Sequence, residues 1–154
     1  MSINNKRWYL KAFDELTNRE LYGILQLRTE VFVVEQTCIF QDMDGKDYDN
    51  CQHIFCKIEE KVIACSRIFP SGVTFKEASV GRICTSPAHR GSGLGKELMR
   101  RSLAEMDRLF PGASIRIGAQ TYLNNFYKNF GFVNASELYM EDGIEHVEMV
   151  RPSN

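Results

Sequence analysis

The chain has 154 residues, 44% hydrophobic and 25% charged, with a formal net charge of −1 and a pI near 6.3. A chain of this length buries about 70% of its unfolded surface, enough for one self-sufficient domain over residues 1–154. The balanced charge lacks the Lys and Arg excess on which nucleic-acid binding depends, and no apolar run approaches the roughly 20 residues of a membrane span, so neither partner is expected. Met1-Ser2-Ile3-Asn4-Asn5-Lys6-Arg7 has no signal-peptide core, and the five cysteines form an odd set without a C-x-x-C pair. Both features predict a cytoplasmic protein with reduced thiols.

Trp8 to Phe13 alternates large apolar with polar residues, the period of a half-buried strand. Thr17, with Glu20 at the capping-box spacing, opens a helix whose apolar side is Leu21, Ile24, Leu25 and Leu27, continued by Val31 and Phe32. Asp42 to Asn50 reads as a solvated loop; its lysine at the fifth position and lack of glycine at the sixth rule out an EF-hand. His53 to Glu59 and Val62 to Phe69 form a hairpin closed by Pro70-Ser71-Gly72. Ala78 to Thr85 is a further strand. From Ser92 to about Phe110 a helix carries a core stripe of Leu94, Leu98, Met99, Leu103, Met106 and Phe110, ended by Pro111-Gly112. Ser114 to Ala119 is a strand, Thr121 to Asn129 a helix, and Phe132 to Val150 one or two closing strands. The interleaved order predicts a mixed α/β sheet flanked by helices.

Between the strand ending at Thr85 and the long helix lies Arg90-Gly91-Ser92-Gly93-Leu94-Gly95-Lys96, three glycines between two cations at a helix start. Glycines permit tight turns and close approach, and free amides at a helix start attract phosphate. The run is not a P-loop, because Arg90 and Glu97 stand where that motif needs glycine and a hydroxyl. Nor is it a dinucleotide fingerprint, whose third glycine would fall at Lys96.

Arg90-x-x-Gly93-x-Gly95, after an apolar strand and before a helix, resembles the acyl-CoA pyrophosphate loop of the GNAT superfamily of N-acyltransferases. Asn124-Asn125-Phe126-Tyr127-Lys128-Asn129-Phe130-Gly131-Phe132 is similar to that family's later block, whose asparagine and tyrosine face the cofactor sulfur. Arg28 to Gln36, Asp42 to Asp49, His53 and Glu141 to His146 resemble the ElaA-like members. The resemblance spans most of the chain. It implies a mostly antiparallel twisted sheet of six or seven strands, helices on both faces, and a splayed central parallel pair.

The resemblance also implies acetyl transfer from acetyl-CoA to a primary amine of a small molecule or peptide, without a metal, by a monomer or homodimer. The reaction needs an anchored cofactor, a neutral amine, a stabilised oxyanion and a proton for the leaving thiolate. The anchor is assigned to Arg90 and the amides of Gly91, Ser92, Gly93, Leu94, Gly95 and Lys96. Backbone groups of Ile83, Cys84 and Thr85 would hold the pantetheine arm as an added strand, with Asn124 bonding to it. Tyr127 is the expected general acid: from a phenol of pKa near 10, a proton reaches a thiolate uphill by only about 2 kcal/mol. Glu35 and His53 are the expected catalytic partners, Glu35, Arg67, Gln120 and His146 line the acceptor pocket, and Arg67 or Arg82 would hold an acceptor anion.

Direct attack is favoured over an acyl-enzyme at Cys84, which has no histidine beside it in sequence. Cys51-x-His53-x-x-Cys56 would offer zinc ligands, but strand parity points Cys56 away from the other two. Two other readings compete: a CoA-binding module without turnover, and a nucleotide-dependent transferase.

Overall fold

The computed structural model describes residues 5–153; the reading of Met1 to Asn4 lies outside them. The early alternation forms strand β1 (Lys6–Ala12), and Thr17 caps helix α1 (Asn18–Arg28). The Glu20 amide donates to the Thr17 hydroxyl at 3.1 Å and the Thr17 amide to the Glu20 carboxylate at 2.9 Å, the reciprocal capping box. Past Arg28 the chain widens into a π-helical stretch, Thr29–Glu35. Such turns are rare and concentrate at functional sites.

Strands β2 (Gln52–Ile58), β3 (Lys61–Phe69) and β4 (Ser79–Thr85) follow, then helix α2 (Leu94–Leu109) and β5 (Ile115–Gln120). A 3₁₀ turn, Thr121–Leu123, leads into the short helix α3 (Asn124–Lys128). The tail folds as β6 (Val133–Asn134), β7 (Tyr139–Glu141) and β8 (Ile144–Arg151), which is why eight strands form where six or seven are predicted. The edge strands are too short, at two and three residues, to carry a readable alternation.

One antiparallel sheet runs β1-β2-β3-β4; in the other, β8 pairs antiparallel with β5, β6 and β7. A single parallel bridge, Ala78 to Ile115, joins them, with the Arg116 amide donating to the Ala78 carbonyl at 2.9 Å. Beyond it, β4 and β5 make no further pairs among the described residues, and the cleft opens between them. Strand β3 is buried at every position but Lys61, the pattern of a strand covered on both faces.

Alternate residues of β2 and β3 feed two cores. Ile54, Cys56, Ile63, Ala64 and Ile68 pack with Leu94, Leu98, Met99, Leu103 and Met106 of α2. Phe55, Val62 and Cys65 pack with Ile24, Leu27 and Val31 on the other face. A full Leu or Met side chain contributes about 1.5–3 kcal/mol on burial, so α2 is held by its stripe rather than by its ends. On the opposite face α1 sits so close to β3 that a Cβ on Gly23 would lie 2.7 Å from Val62 Cγ2.

Candidate active site

The cleft between the two sheets has a volume of about 420 Å³, within the range of small-molecule sites. Ile83, Cys84 and Thr85 line it from β4, Arg90 and Gly95 from the glycine loop, Gln120 from β5, Tyr127 from α3 and His146 from β8. Sequence segments far apart in the chain thus meet in one place.

Strand β4 is bulged there. Cys84 pairs with Cys65 of β3 and Gly81 with Arg67, so Arg82 and Ile83 together oppose the single residue Ser66. Arg82 takes a φ of +47°, a left-handed conformation that costs a non-glycine residue about 1–2 kcal/mol. Asp42 holds it, accepting from Arg82 Nε at 2.8 Å and from Nη2, through its carbonyl, at 3.1 Å. The bulge turns the main chain of β4 at the point where its second edge loses a strand partner.

At the end of β4 the glycine loop enters α2. Gly91 and Gly93 have φ of +84° and +82°, so both need glycine, and Gly93 caps α2 without a side-chain acceptor. The Glu97 amide is the first to bond within the helix, to the Gly93 carbonyl at 3.0 Å, which leaves the amides of Leu94, Gly95 and Lys96 without intrahelical partners. A Cβ on Gly91, Gly93 or Gly95 would meet nothing within 4 Å. The space over these donors is therefore open, and it suits an anion. Leu94 points into the core; Gly91, Ser92, Gly93 and Lys96 are exposed.

Arg90 does not stand free beside the loop. Its guanidinium grips Glu35 in a two-point ion pair, Nη1 to Oε2 at 2.5 Å and Nη2 to Oε1 at 2.8 Å, and also donates to the Thr85 carbonyl. The Arg90 hydrogen bond holds the Glu35 carboxyl below its ordinary range. Glu35 thus faces the anion end of the cleft rather than the acceptor end. Its neighbour Gln36 spans the cleft instead, exchanging paired amide hydrogen bonds of 3.2 Å with Gln120.

Tyr127 is 6% exposed and lines the cleft between Phe126 and Phe132, with ring centroids 5.3 and 6.0 Å away. Burial raises its phenol well above the usual value, so it stays protonated at any neutral pH. The same burial raises the Cys84 thiol in the same cleft. A thiolate leaving there would meet the same penalty, so the gap in acidity between phenol and thiol widens less than the phenol's shift alone implies. The raised thiol also disfavours Cys84 as a nucleophile, since the thiolate is the reactive form.

Several expected positions lie elsewhere. Asn124 is engaged elsewhere, donating to Asn134 Oδ1 at 2.6 Å and to Met149 Sδ at 3.5 Å, so from this block the cleft receives Phe126 and Tyr127. His53 is 1% exposed on the α1 side of β2, with Nε2 at 2.9 Å from the Asp47 carbonyl, and burial lowers its pKa. Neither His53 nor Arg67 lines the cleft.

Arg67 instead belongs to a caged network. Asp47 accepts from Arg28 Nη1 at 2.6 Å and Arg67 Nη1 at 3.0 Å, Asp44 accepts from Arg67 Nη2 at 2.6 Å, and Asp42 accepts from Arg28 Nε at 2.9 Å. Asp42 and Asp47 are each 6% exposed, so a segment that is otherwise exposed, as a solvated turn should be, turns these two aspartates inward. Three arginines from α1, β3 and β4 compensate its charge, and none is a neighbour of the aspartates in sequence. Those pairs also occupy Arg67 and Arg82, the expected acceptor-anion ligands.

Cys56 lies in the α2 core, as strand parity predicts, but Asp47, Cys51 and His53 bring ligand atoms within 4.8 Å of one another. Two guanidinium groups already occupy Asp47, and burial pushes the Cys51 thiol up to about 12, so this donor set faces cations and holds its proton.

The cleft is also lined by residues outside the expected site set: Phe32, Glu141, Asp142 and Ile144, from segments that carry the resemblance, and Phe40 and Tyr122, which no motif marks. The Asp142-Gly143 turn, with φ of +53° and +77°, is a local signal in the residues themselves for the β7–β8 part of that lining.

Known proteins share this chain's sequence and fold. Residues 23–152 match the family described as an acetyltransferase (GNAT) domain. Protein ElaA of Escherichia coli is 40% identical over 146 residues, covering 94% of this chain and 95% of ElaA. The crystal structure of an acyl-CoA N-acyltransferase from Pseudomonas aeruginosa superimposes with a TM-score of 0.91 at 39% identity, over 95% of this chain and 99% of that one. The crystal structure of Escherichia coli ElaA gives 0.88 at 38% identity, with the same two coverages. By its motifs, its split sheet and these likenesses, the chain belongs to the GNAT family of acyl-CoA-dependent N-acyltransferases.

Proposed function

We propose that this protein is one domain that transfers an acetyl group from acetyl-CoA to a primary amine of a small molecule or peptide, by direct attack in a ternary complex. The observation that carries the reading is a single cleft holding three parts: a bulged strand with an unpaired edge, uncapped amides under open space, and a buried protonated phenol. The amides of Leu94, Gly95 and Lys96 receive the diphosphate, with Arg90 beside them. The free edge of β4 at Ile83, Cys84 and Thr85 pairs with the pantetheine amides and aims a main-chain N–H at the thioester oxygen, where negative charge develops. The co-substrate supplies the activated acyl group. As the amine adds to the thioester carbon, the C–S bond breaks and Tyr127 donates its proton to the departing sulfur. The five free, buried cysteines suit a reducing compartment, and we place the reaction in the cytoplasm.

A CoA-binding module without turnover is the second reading, and Tyr127 separates the two. Tyr127→Phe keeps the ring packing and removes the donor. Turnover of acetyl-CoA with an amine panel is expected to fall by about 10²–10⁴, while CoA affinity by calorimetry stays within about twofold. Unchanged turnover would remove the acid role. A wild-type protein that binds CoA but acylates no amine would leave the binding module standing.

A further inference from the structure

The acceptor end holds one nitrogen base that the rest of the structure leaves unused. His146 lies on β8 directly opposite Gln120 of β5 and Tyr139 of β7 in the two ladders, so all three side chains share one face of the sheet, and Gln120 and His146 line the cleft. Its Nδ1 lies 2.7 Å from the carbonyl of Ile144. A carbonyl only accepts, so Nδ1 carries the proton and Nε2 keeps its lone pair. Tyr139 stacks on the imidazole at 5.7 Å and 25°, fixing the ring plane. Gly118 makes room for that tyrosine, since a Cβ there would lie 3.0 Å from the Tyr139 hydroxyl. The ring is 7% exposed, and the cleft is the space its neighbours leave open.

Nε2 lies 3.7 Å from Glu141 Oε2, too far for a hydrogen bond. The remaining charges of the cleft are asymmetric. Arg82 is paired with Asp42 and Asp44, and Arg90 with Glu35. Among the described residues no lysine or arginine pairs with Glu141 or Asp142, and the Cys38 thiol ties the Asp142 carbonyl to the end of the π-helical stretch at 3.2 Å. The acceptor end therefore presents uncompensated carboxylates beside an oriented imidazole.

Resting on the acyl-transfer reading, we propose that His146 is the base that deprotonates the acceptor ammonium, and that the acceptor is a cationic amine with no carboxylate beside its reacting nitrogen. Glu141 draws the ammonium in; one proton passes from nitrogen to His146 Nε2 and on to solvent, leaving a neutral amine. The amine lone pair forms the C–N bond as the C–S bond breaks. The second proton shed by nitrogen replaces the one that Tyr127 gives to sulfur, so one proton is released per turnover. An α-amino acid would bring its own carboxylate against Glu141 and Asp142 with no free cation to receive it.

The test uses His146→Asn in the full chain. The Asn amide nitrogen stands where Nδ1 stands and keeps the bond to the Ile144 carbonyl, while the cleft-facing lone pair disappears. The probes are 1,4-diaminobutane, glycine, and trifluoroethylamine, which is neutral at pH 7.5 without help. The wild-type protein is expected to acetylate 1,4-diaminobutane well above glycine. His146→Asn lowers kcat for the diamine by about 10²-fold or more but for trifluoroethylamine by less than about tenfold, with CoA affinity unchanged. Glu141→Gln raises KM for the diamine several-fold and leaves that for trifluoroethylamine in place. Equal losses on both amines would assign His146 a merely structural part and overturn the proposal, as would preference for glycine or no transfer to any of the three by protein that binds CoA. Failure to bind CoA at all would instead overturn the acyl-transfer reading.

Discussion

The two ends of the cleft are built from different materials. The cofactor end is main chain: the bulged edge of β4, two left-handed glycines and three uncapped amides at the start of α2. The acceptor end is side chain: a stacked histidine, a glutamine pair and unpaired carboxylates, backed by a buried cage of arginines and aspartates. Main-chain donors bind a diphosphate whatever the side chains, so the cofactor end can stay generic. Side chains from β7, β8 and the π-helical stretch can be exchanged one at a time, so on the proposed acyl-transfer reading specificity would reside at the other end.

Substitutions at either end should separate these roles. The largest effect is expected from Gly95→Glu. A carboxylate in the first turn of α2 suits the helix dipole and improves helix propensity, so Tm should hold or rise. Yet the side chain fills the open space with negative charge, and CoA affinity should fall at least about 10²-fold, roughly 3 kcal/mol. Retained affinity by calorimetry would show that the loop only starts a helix.

The next effect lies in the cage behind the acceptor end. Burial alone would raise the Asp47 carboxyl, but the Arg28 hydrogen bond and the charges of Arg28 and Arg67 outweigh it and hold the group below the usual range. A depressed folded-state pKa contributes stability that is full above the unfolded value of about 3.9 and is lost as pH falls from there through the lower folded-state value. Asp47→Asn should therefore cost about 3–5 kcal/mol at pH 7 by urea melts, with the difference from wild type shrinking as pH falls below about 4. A pH-independent difference would show that the carboxylate acts through shape alone.

The smallest effect should come from Glu35→Gln. Glu35 and Arg90 are 37% and 42% exposed, and such pairs contribute about 1 kcal/mol at most. The substitution releases Arg90 toward the diphosphate, so CoA should bind about two- to fivefold tighter, whereas pantetheine, which has no diphosphate, should bind as before. Weaker CoA binding would mean that Glu35 orients Arg90 rather than competing for it.

The elements legible in the residue order are those whose signals are local. Thr17 with Glu20, the Leu94-to-Met106 stripe, and Gly91, Gly93 and Gly95 each declare a structure within one or two helical turns. From them came α1, α2, the strand that feeds the loop, and the anion cradle. Tyr127 was reachable only because its block resembled a family, since a tyrosine between phenylalanines otherwise reads as core. The tertiary structure decided what depends on pairing across distance. It consumed Arg67 and Arg82 in aspartates from a loop that looked solvated, buried His53 beneath that loop, and turned Asn124 toward Asn134. It joined Glu35 to Arg90 and left His146 as the imidazole facing the cleft. Backbone geometry follows from neighbours in sequence, whereas the partner of a charge follows from which strands come to lie side by side.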